Sequence, residues 1–209
     1  MNKIVTIVLI SLSTITFAQE KKAEALLEKL DLHTGSYKNI TINFDFIFKN
    51  HSLKLDESVD IGEVVQRGTI IIEGDKFQID MDNQTIINDG ENQWMHLKEM
   101  NEVQIIENNP EVLSPNTLFN FYKENYKYKY ISCIEDIHII DLFPKKRKDI
   151  IKTTIKIDSR KNQLREIVIH DKNGETQTYI LKSIKKDTLI KPFIFNINDF
   201  PNIEVIDLR

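Results

Sequence analysis

The sequence predicts a mainly β protein of the α+β class, in which one strongly curved antiparallel sheet is covered on one side by helices. Long stretches of the chain alternate apolar and polar residues with the period of two that a half-buried strand shows. Tight-turn sequences such as Asp89-Gly90 separate these stretches. The helical stretches do not alternate regularly with the strands, as they would in a parallel sheet.

The first element is an amphipathic helix. Its apolar residues recur with the spacing i, i+3, i+4 and i+7, which places Ala23, Leu26, Leu27 and Leu30 on one side. Gly35 stands where a C-terminal cap belongs. This pattern predicts a helix that buries one face and leaves the other to solvent.

The strands follow this helix. The first predicted strand has apolar residues at alternate positions, namely Ile40, Ile42, Phe44, Phe46 and Phe48. The same alternation predicts strands at 69–73, 76–81, 85–88, 93–97, 102–106, 127–134, 137–143, 150–157, 163–170, 175–183 and 193–197.

A helical insertion interrupts the strands. Ser114 suits an N-cap, and Pro115 suits the first helical position. Large apolar side chains follow at helical spacing: Leu118, Phe119, Phe121 and Tyr122. We expect this insertion to present an aromatic face to the sheet.

Residues 1–18 are predicted to be a cleavable signal peptide, and residues 19–209 to be one mature domain. Lys3 supplies a short basic region, and the apolar run that follows it is shorter than the ~20 residues that a membrane anchor needs. Thr16 and Ala18 are small residues at the positions that signal peptidase requires. We therefore expect a periplasmic protein, and one without a lipid anchor because the residue directly after the predicted cleavage site is Gln19 and not Cys.

Charge and cysteine content exclude some classes of function. The net charge is −4, or −5 without Lys3, and offers no electrostatic surface for nucleic acid. No polybasic helix suited to a membrane surface is present. Cys133 is the one cysteine, which excludes an internal disulfide. Its neighbours Ile131 and Ile134 predict that its side chain is buried.

No sequence pattern nominates a catalytic, metal or cofactor site. The histidines lack the spacing of metal ligands, and we expect each to be solvated or singly hydrogen-bonded: His33, His51, His96, His138 and His170. Nucleophile elbows, P-loops and dinucleotide fingerprints are missing from the sequence. The basic run at 145–148 is most simply a solvated turn, although a contact with acidic lipid headgroups or an acidic partner is an alternative. We expect no enzyme activity and no cofactor, with an envelope hydrolase as a remote alternative.

Several segments together resemble one known family. The most specific is Asn88-Asp89-Gly90 followed by Trp94, which has the form D-G-x-x-x-W. The others are the opening helix with Ile40 and Phe44, Gly68 with Asp75-Lys76-Phe77, Ser114 to Tyr122, Leu142-Phe143-Pro144, Ile155 to Tyr179, and Phe193-x-Phe195 with Pro201 and Val205-x-Asp207. In their order and spacing these segments resemble the LolA family of periplasmic lipoprotein carriers.

The resemblance implies an incomplete barrel with helices as a lid over an apolar cavity. It implies a chaperone that binds the acyl chains of lipoproteins released from the inner membrane and carries them to the outer membrane. The implied partners are lipoproteins, an inner-membrane lipoprotein-releasing ABC transporter and an outer-membrane acceptor, and we expect a monomer. The implied acyl-chain-binding residues are Phe44, Phe46, Phe77, Ile79, Trp94, Leu118, Phe119 and Tyr122. Because Phe77 follows the tight turn Gly74-Asp75, we expect it at the rim of the sheet.

One position departs from the family pattern. The best-studied members carry an Arg that latches the lid. It lies in the strand before the turn that corresponds to Gly74-Asp75, and this sequence has Glu73 at that position. The loop at 50–66 is also longer than a minimal member needs. The alternative function is another periplasmic lipid-binding half-barrel, either like a lipoprotein receptor or like an envelope-stress sensor.

Overall fold

The computed structural model describes residues 19–34, 36–50, 64–108, 126–146 and 149–209. These residues form one α-helix, one short 3-10 helix and twelve strands, which confirms the predicted mainly β class. Among them, no helix has the length and apolar character needed to cross a membrane.

Some sequence predictions fall outside these residues. They are the signal peptide at 1–18, the helix cap at Gly35, the helical insertion from Ser114 to Tyr122, and most of the loop at 50–66. Each of them stays a prediction.

Most of the elements lie where the alternation predicts them. Helix α1 comprises residues 19–34. The strands are β1 (Ile40–Asn50), β2 (Val64–Glu73), β3 (Lys76–Met81), β4 (Gln84–Asn88), β5 (Asn92–Leu97), β6 (Glu102–Glu107), β7 (Tyr126–Ile134), β8 (Ile137–Pro144), β9 (Ile150–Asp158), β10 (Gln163–Asp171), β11 (Glu175–Lys186) and β12 (Glu204–Asp207). A 3-10 helix at Ile197–Asp199 precedes β12.

The predicted strand at 193–197 is wrong. Residues 193–196 are irregular, Ile197 begins the 3-10 helix, and the last strand begins at Glu204. Phe193 and Phe195 are both buried, so their alternation reflects packing against the sheet and not pairing within it. β12 runs parallel to β6, and the sheet is therefore mixed and not purely antiparallel.

Hydrogen bonds order the strands β12-β6-β5-β4-β3-β2-β1-β11-β10-β9-β8-β7. The described residues divide into two compact units. The first unit contains α1, β7 to β10 and residues 175–178 of β11. The second contains β1 up to Phe48, β2 to β6 and residues 179–209. This division does not test the prediction that residues 19–209 form one mature domain, which stays a prediction.

In the first unit, one apolar row crosses four strands. Tyr130 pairs with Ile140, Ile140 with Ile155, and Ile155 with Ile167, and all four side chains are buried. Helix α1 buries its predicted face. The Lys22 ammonium lies 4.0 Å from the centre of the Tyr130 ring, so α1 contacts β7.

The prediction that Cys133 is buried is wrong, because its side chain is exposed. β7 is the last strand in the order and has one neighbouring strand. Its register shifts between Tyr130 and Ser132, and Cys133 lies beyond that shift, past the buried row that ends at Tyr130.

In the second unit, the register aligns apolar residues in rows across five strands. Ile42 pairs with Ile70, which pairs with Ile79, and the row continues through Ile86 to Met95. Because successive residues of a strand point to opposite faces, this register places the whole row on one face of the sheet.

A glycine makes room for the largest side chain of this face. Gly68 pairs with Phe44, and a Cβ at Gly68 would lie 2.7 and 3.0 Å from two carbons of the Phe44 ring. Real Cβ contacts are longer than this, so the ring must lie directly over the glycine backbone.

The first prediction tests this contact. We expect Gly68→Ala to lower the free energy of unfolding by about 1–3 kcal/mol through overpacking, although Ala is ordinarily the better strand residue. In a Phe44→Leu background the same change should cost almost nothing, since the ring is gone. Urea unfolding of the four variants measures the coupling, and an equal cost in both backgrounds would contradict the contact.

The second prediction concerns α1. Leu27 is 1% exposed and Leu32, on the same helix, is 77% exposed. We expect Leu27→Ala to lower the free energy of unfolding by about 2–5 kcal/mol, because it leaves a cavity. Leu32→Ala is the matched control and should change stability by less than about 0.5 kcal/mol. Similar losses in both variants would show that α1 does not pack through its predicted face.

Candidate functional site

The second unit has a broad apolar surface on one side of its sheet, which we call the apolar face. Its buried residues are Ile40, Ile42, Phe44, Ile70, Ile72 and Phe77. Half-buried residues pack around them: Tyr37, Phe46, Ile79, Met81, Ile86, Tyr179, Leu181 and Ile184. The apolar face thus combines a closed centre with side chains that keep part of their surface accessible.

Four of the predicted acyl-chain-binding residues meet on the apolar face. Phe44 and Phe77 are buried within it, whereas Phe46 and Ile79 are half-buried around it. The expectation that Phe77 lies at the rim is wrong, because it is 3% exposed and more buried than Phe44 at 7%. β3 has neighbours on both sides, so Phe77 is flanked by Ile72 and Asn88 despite the adjacent turn.

Trp94 does not join these residues. It pairs with Ile87, which pairs with Gln78, the neighbour of Phe77 along β3. The register therefore directs Trp94 to the face opposite Phe77. There it packs in a second cluster with Ile87 and Val103, together with Phe193 and Phe195 from the chain after β11.

Three predicted residues of the helical insertion, Leu118, Phe119 and Tyr122, lie outside the described residues. Their role in acyl-chain binding stays a prediction.

Tyr179 also belongs to the apolar face, although the sequence pattern did not nominate it as an acyl-chain-binding residue. Its ring centre lies 6.0 Å from that of Phe44 and 5.1 Å from that of Phe46. Burial raises the pKa of its hydroxyl, so the side chain is neutral at physiological pH. The strand pattern at 175–183 contains Tyr179, but its alternation alone does not say which face meets Phe44.

The D-G-x-x-x-W segment builds a turn. The buried Asn88 accepts a hydrogen bond from the Gly90 amide at 2.8 Å and donates one to Asn108 at 2.8 Å. Asp89 accepts from the amides of Glu91 and Asn92. Gly90 has a φ of +99°, which a residue with a side chain rarely adopts. These residues therefore stabilise the turn that connects β4 to β5.

Two open grooves of the second unit are mainly polar. One, of about 690 Å³, is lined by Lys38, Glu73, Lys76, Asp89 and Glu91 together with residues 188–194. The other, of about 710 Å³, contains three aspartates and three basic side chains: Asp45, Asp80, Asp82, Arg67, Lys98 and Lys182. Neither is an apolar cavity, so the cavity that the family resemblance implies stays a prediction.

Glu73, at the position of the family's latch, lines the first groove. It follows Ile72 of the apolar face directly along β2, so its side chain points to the opposite side of the sheet.

Within the described ranges, no group of three His, Cys, Asp or Glu side chains could hold a metal ion. For His96, the expectation that each histidine is solvated or singly hydrogen-bonded stays a prediction. Its side chain is buried, and its Nε2 atom has no hydrogen-bond partner among the described residues. His138 does form the expected contact, with its Nδ1 atom 3.1 Å from the Tyr130 hydroxyl.

Solved structures with a similar fold share little sequence with this chain. An uncharacterized conserved protein from Thermus thermophilus matches with a TM-score of 0.56 and 8% identity, covering 89% of this chain and 99% of that one. A DUF1329 family protein from Desulfovibrio piger matches with a TM-score of 0.51 and 10% identity, covering 87% and 99%. At these identities the likeness shows the fold alone.

A LolA superfamily protein from Nitrosomonas europaea matches with a TM-score of 0.45 and 14% identity, covering 83% of this chain and 97% of that one. No protein of curated function matches the sequence significantly. The model of the family described as outer membrane lipoprotein carrier protein LolA matches residues 15–177. This match spans well over half of the sequence, and the chain therefore belongs to the LolA family.

Proposed function

We propose that this protein is a periplasmic chaperone that carries lipoproteins from the inner membrane to the outer membrane by binding their acyl chains. The observation that carries the proposal is the apolar face, with half-buried side chains around a buried centre, in a member of the LolA family. The protein would act without catalysis and without a cofactor.

The energetics of lipid transfer require such a surface. Exposing one sixteen-carbon acyl chain to water costs about 12 kcal/mol at ~0.8 kcal/mol per CH₂ group, and lipoproteins carry several chains. A carrier must also release its cargo, so it should bind less tightly than a fully matched core. Half-buried Phe46, Ile79 and Tyr179 suit this need, because they offer apolar area that is not yet fully packed.

We propose that the sheet forms an incomplete barrel and that the insertion at 114–122 acts as the lid over the apolar face. Leu118, Phe119 and Tyr122 would then contact the acyl chains from the side opposite Phe46 and Ile79. Since Glu73 points away from the apolar face, we propose that apolar contacts hold this lid, and not a polar latch at that position.

The proposed partners follow from the route. Lipoproteins are the cargo, an inner-membrane lipoprotein-releasing ABC transporter supplies them, and an outer-membrane acceptor receives them. A signal peptide at 1–18 would bring the chain to the periplasm, where it would act as a monomer.

The third prediction tests the acyl-chain role of the apolar face. We expect Phe46→Glu to abolish release of a purified lipoprotein from inner-membrane vesicles, since a bound acyl chain would cover an unpaired carboxylate, which costs several kcal/mol. Phe46→Ala, which only removes apolar area, should reduce release partially. Thermal unfolding, run on each variant, separates loss of binding from loss of the fold.

Val65→Glu is the matched control. Val65 pairs with Ile47, the neighbour of Phe46, so it lies one register position away on the opposite face, and it is 55% exposed. It should release lipoprotein at the wild-type rate. Normal release by Phe46→Glu, or an equal loss in Val65→Glu, would show that the apolar face does not bind the cargo.

A further inference from the structure

The face opposite the apolar face is covered by a segment that is anchored at both of its ends. We call this segment, residues 189–200, the strap. Before it, the amide of Thr188 donates to the Asn39 side chain at 2.9 Å, and Asn39 donates back to the Thr188 carbonyl at 3.0 Å. After it, the Asn101 side chain donates to the carbonyls of Pro201 and Asn202 at 3.3 and 3.0 Å.

Between these anchors, apolar contacts hold the strap to the sheet. Phe193 and Phe195 are buried in the same cluster as Ile87 and Val103, and Phe200 packs against that cluster. The rings of Phe195 and Phe200 are stacked with their centres 5.0 Å apart. The strap thus depends on a few aromatic side chains that have no polar bond to the sheet.

A histidine lies beneath these rings. His96 of β5 is 6% exposed, and its ring centre lies 5.7 Å from that of Phe195 and 4.5 Å from that of Phe200. Its Nε2 atom is buried without a hydrogen-bond partner among the described residues. A neutral imidazole can remain here at modest cost, but a charged imidazolium would be both desolvated and unpaired.

The charged groups on the neighbouring elements offer no direct counterion. β4 has no ionisable residue, and β6 carries glutamates only at its two ends. The Asp80 carboxylate is already paired with Lys98 at 2.8 Å, and the Lys98 cation opposes a second positive charge at His96. Besides His96, the ionisable residues on β3, on β5 with its following turn, on β6 and on the strap are Lys76, Asp80, Lys98, Glu99, Glu102, Glu107, Lys191 and Asp199.

From this geometry we infer that His96 is a pH-sensitive latch: its protonation releases the strap from the sheet and exposes the apolar surface around Trp94. Burial, reinforced by the charge of Lys98, lowers the pKa of His96 while the strap is closed. Once the strap opens, the pKa returns toward the ordinary value of about 6.5. The open state therefore binds more protons, and the closed strap is stable above about pH 6.5 and loses stability as the pH falls below it.

The fourth prediction uses the one tryptophan of the chain, which reports directly on the strap. Trp94 lies two residues before His96 on the same face and packs in the cluster that the strap covers. Between about pH 7.5 and about pH 5 we expect its emission to shift to longer wavelength and acrylamide quenching to increase. Far-UV circular dichroism should stay unchanged over this range.

Two variants assign the transition. His96→Leu replaces the imidazole with an uncharged apolar side chain and should abolish the pH-dependent change in Trp94 emission. Phe200→Ala removes one ring from the contact and should produce the emission of the acid state already at neutral pH. His138→Gln is the matched control, because burial also lowers the pKa of His138 but this histidine belongs to the first unit. It should keep the wild-type transition.

Three outcomes would overturn the inference. They are an emission from Trp94 that does not change with pH, a transition that survives in His96→Leu, and a loss of circular dichroism that accompanies the change in fluorescence. The last would mean global acid unfolding. None of these outcomes bears on lipoprotein release through the apolar face, which is measured separately at neutral pH.

Discussion

The register between β1 and β2 is the constraint on which the second unit depends. A slip of one residue would turn every side chain of β1 to the other face, and Phe44 would then lie over a residue that has a side chain. The ring of Phe44 lies where a Cβ at Gly68 would clash with it, so this pair favours the observed register over its neighbours. Once it is selected, the isoleucine row from Ile42 to Ile86 is aligned across four strands.

With this register, the sheet of the second unit carries a different cluster of apolar residues on each of its two faces. On one side Phe44 and Phe77 form the centre of the apolar face. On the other side Ile87 and Val103 are covered by Phe193 and Phe195. A strand of a two-sided sheet must carry apolar residues at consecutive positions, as at Ile70, Ile71 and Ile72 of β2. These consecutive residues are the sequence signal of a sheet that is buried on both faces.

Much of the fold could be predicted because it depends on local patterns. Helix α1 and the strands through β11 follow from residue spacing, which is set by backbone geometry. The wrong predictions all depend on contacts between residues far apart in the sequence. Phe193 and Phe195 alternate as in a strand but pack on β4 and β6, and the hydrophobic neighbours of Cys133 do not reveal that β7 ends the strand order. Of the predicted acyl-chain-binding residues, Phe44, Phe46, Phe77 and Ile79 share one face, and their role in binding stays a prediction. Trp94 could not be assigned to a face without the register of β4 and β5.

The second unit is discontinuous in the chain, and this has a consequence for how the protein is made. One of the two hydrogen-bonded neighbours of β1 is β11, and one of the two neighbours of β6 is β12. These pairs join residues more than 90 positions apart, and contacts of such separation slow folding. During synthesis, β1 to β6 therefore emerge long before residues 179–209 can complete their sheet. The sheet of the second unit therefore gains its two outer neighbours, β11 beside β1 and β12 beside β6, only after almost the whole chain has been synthesised.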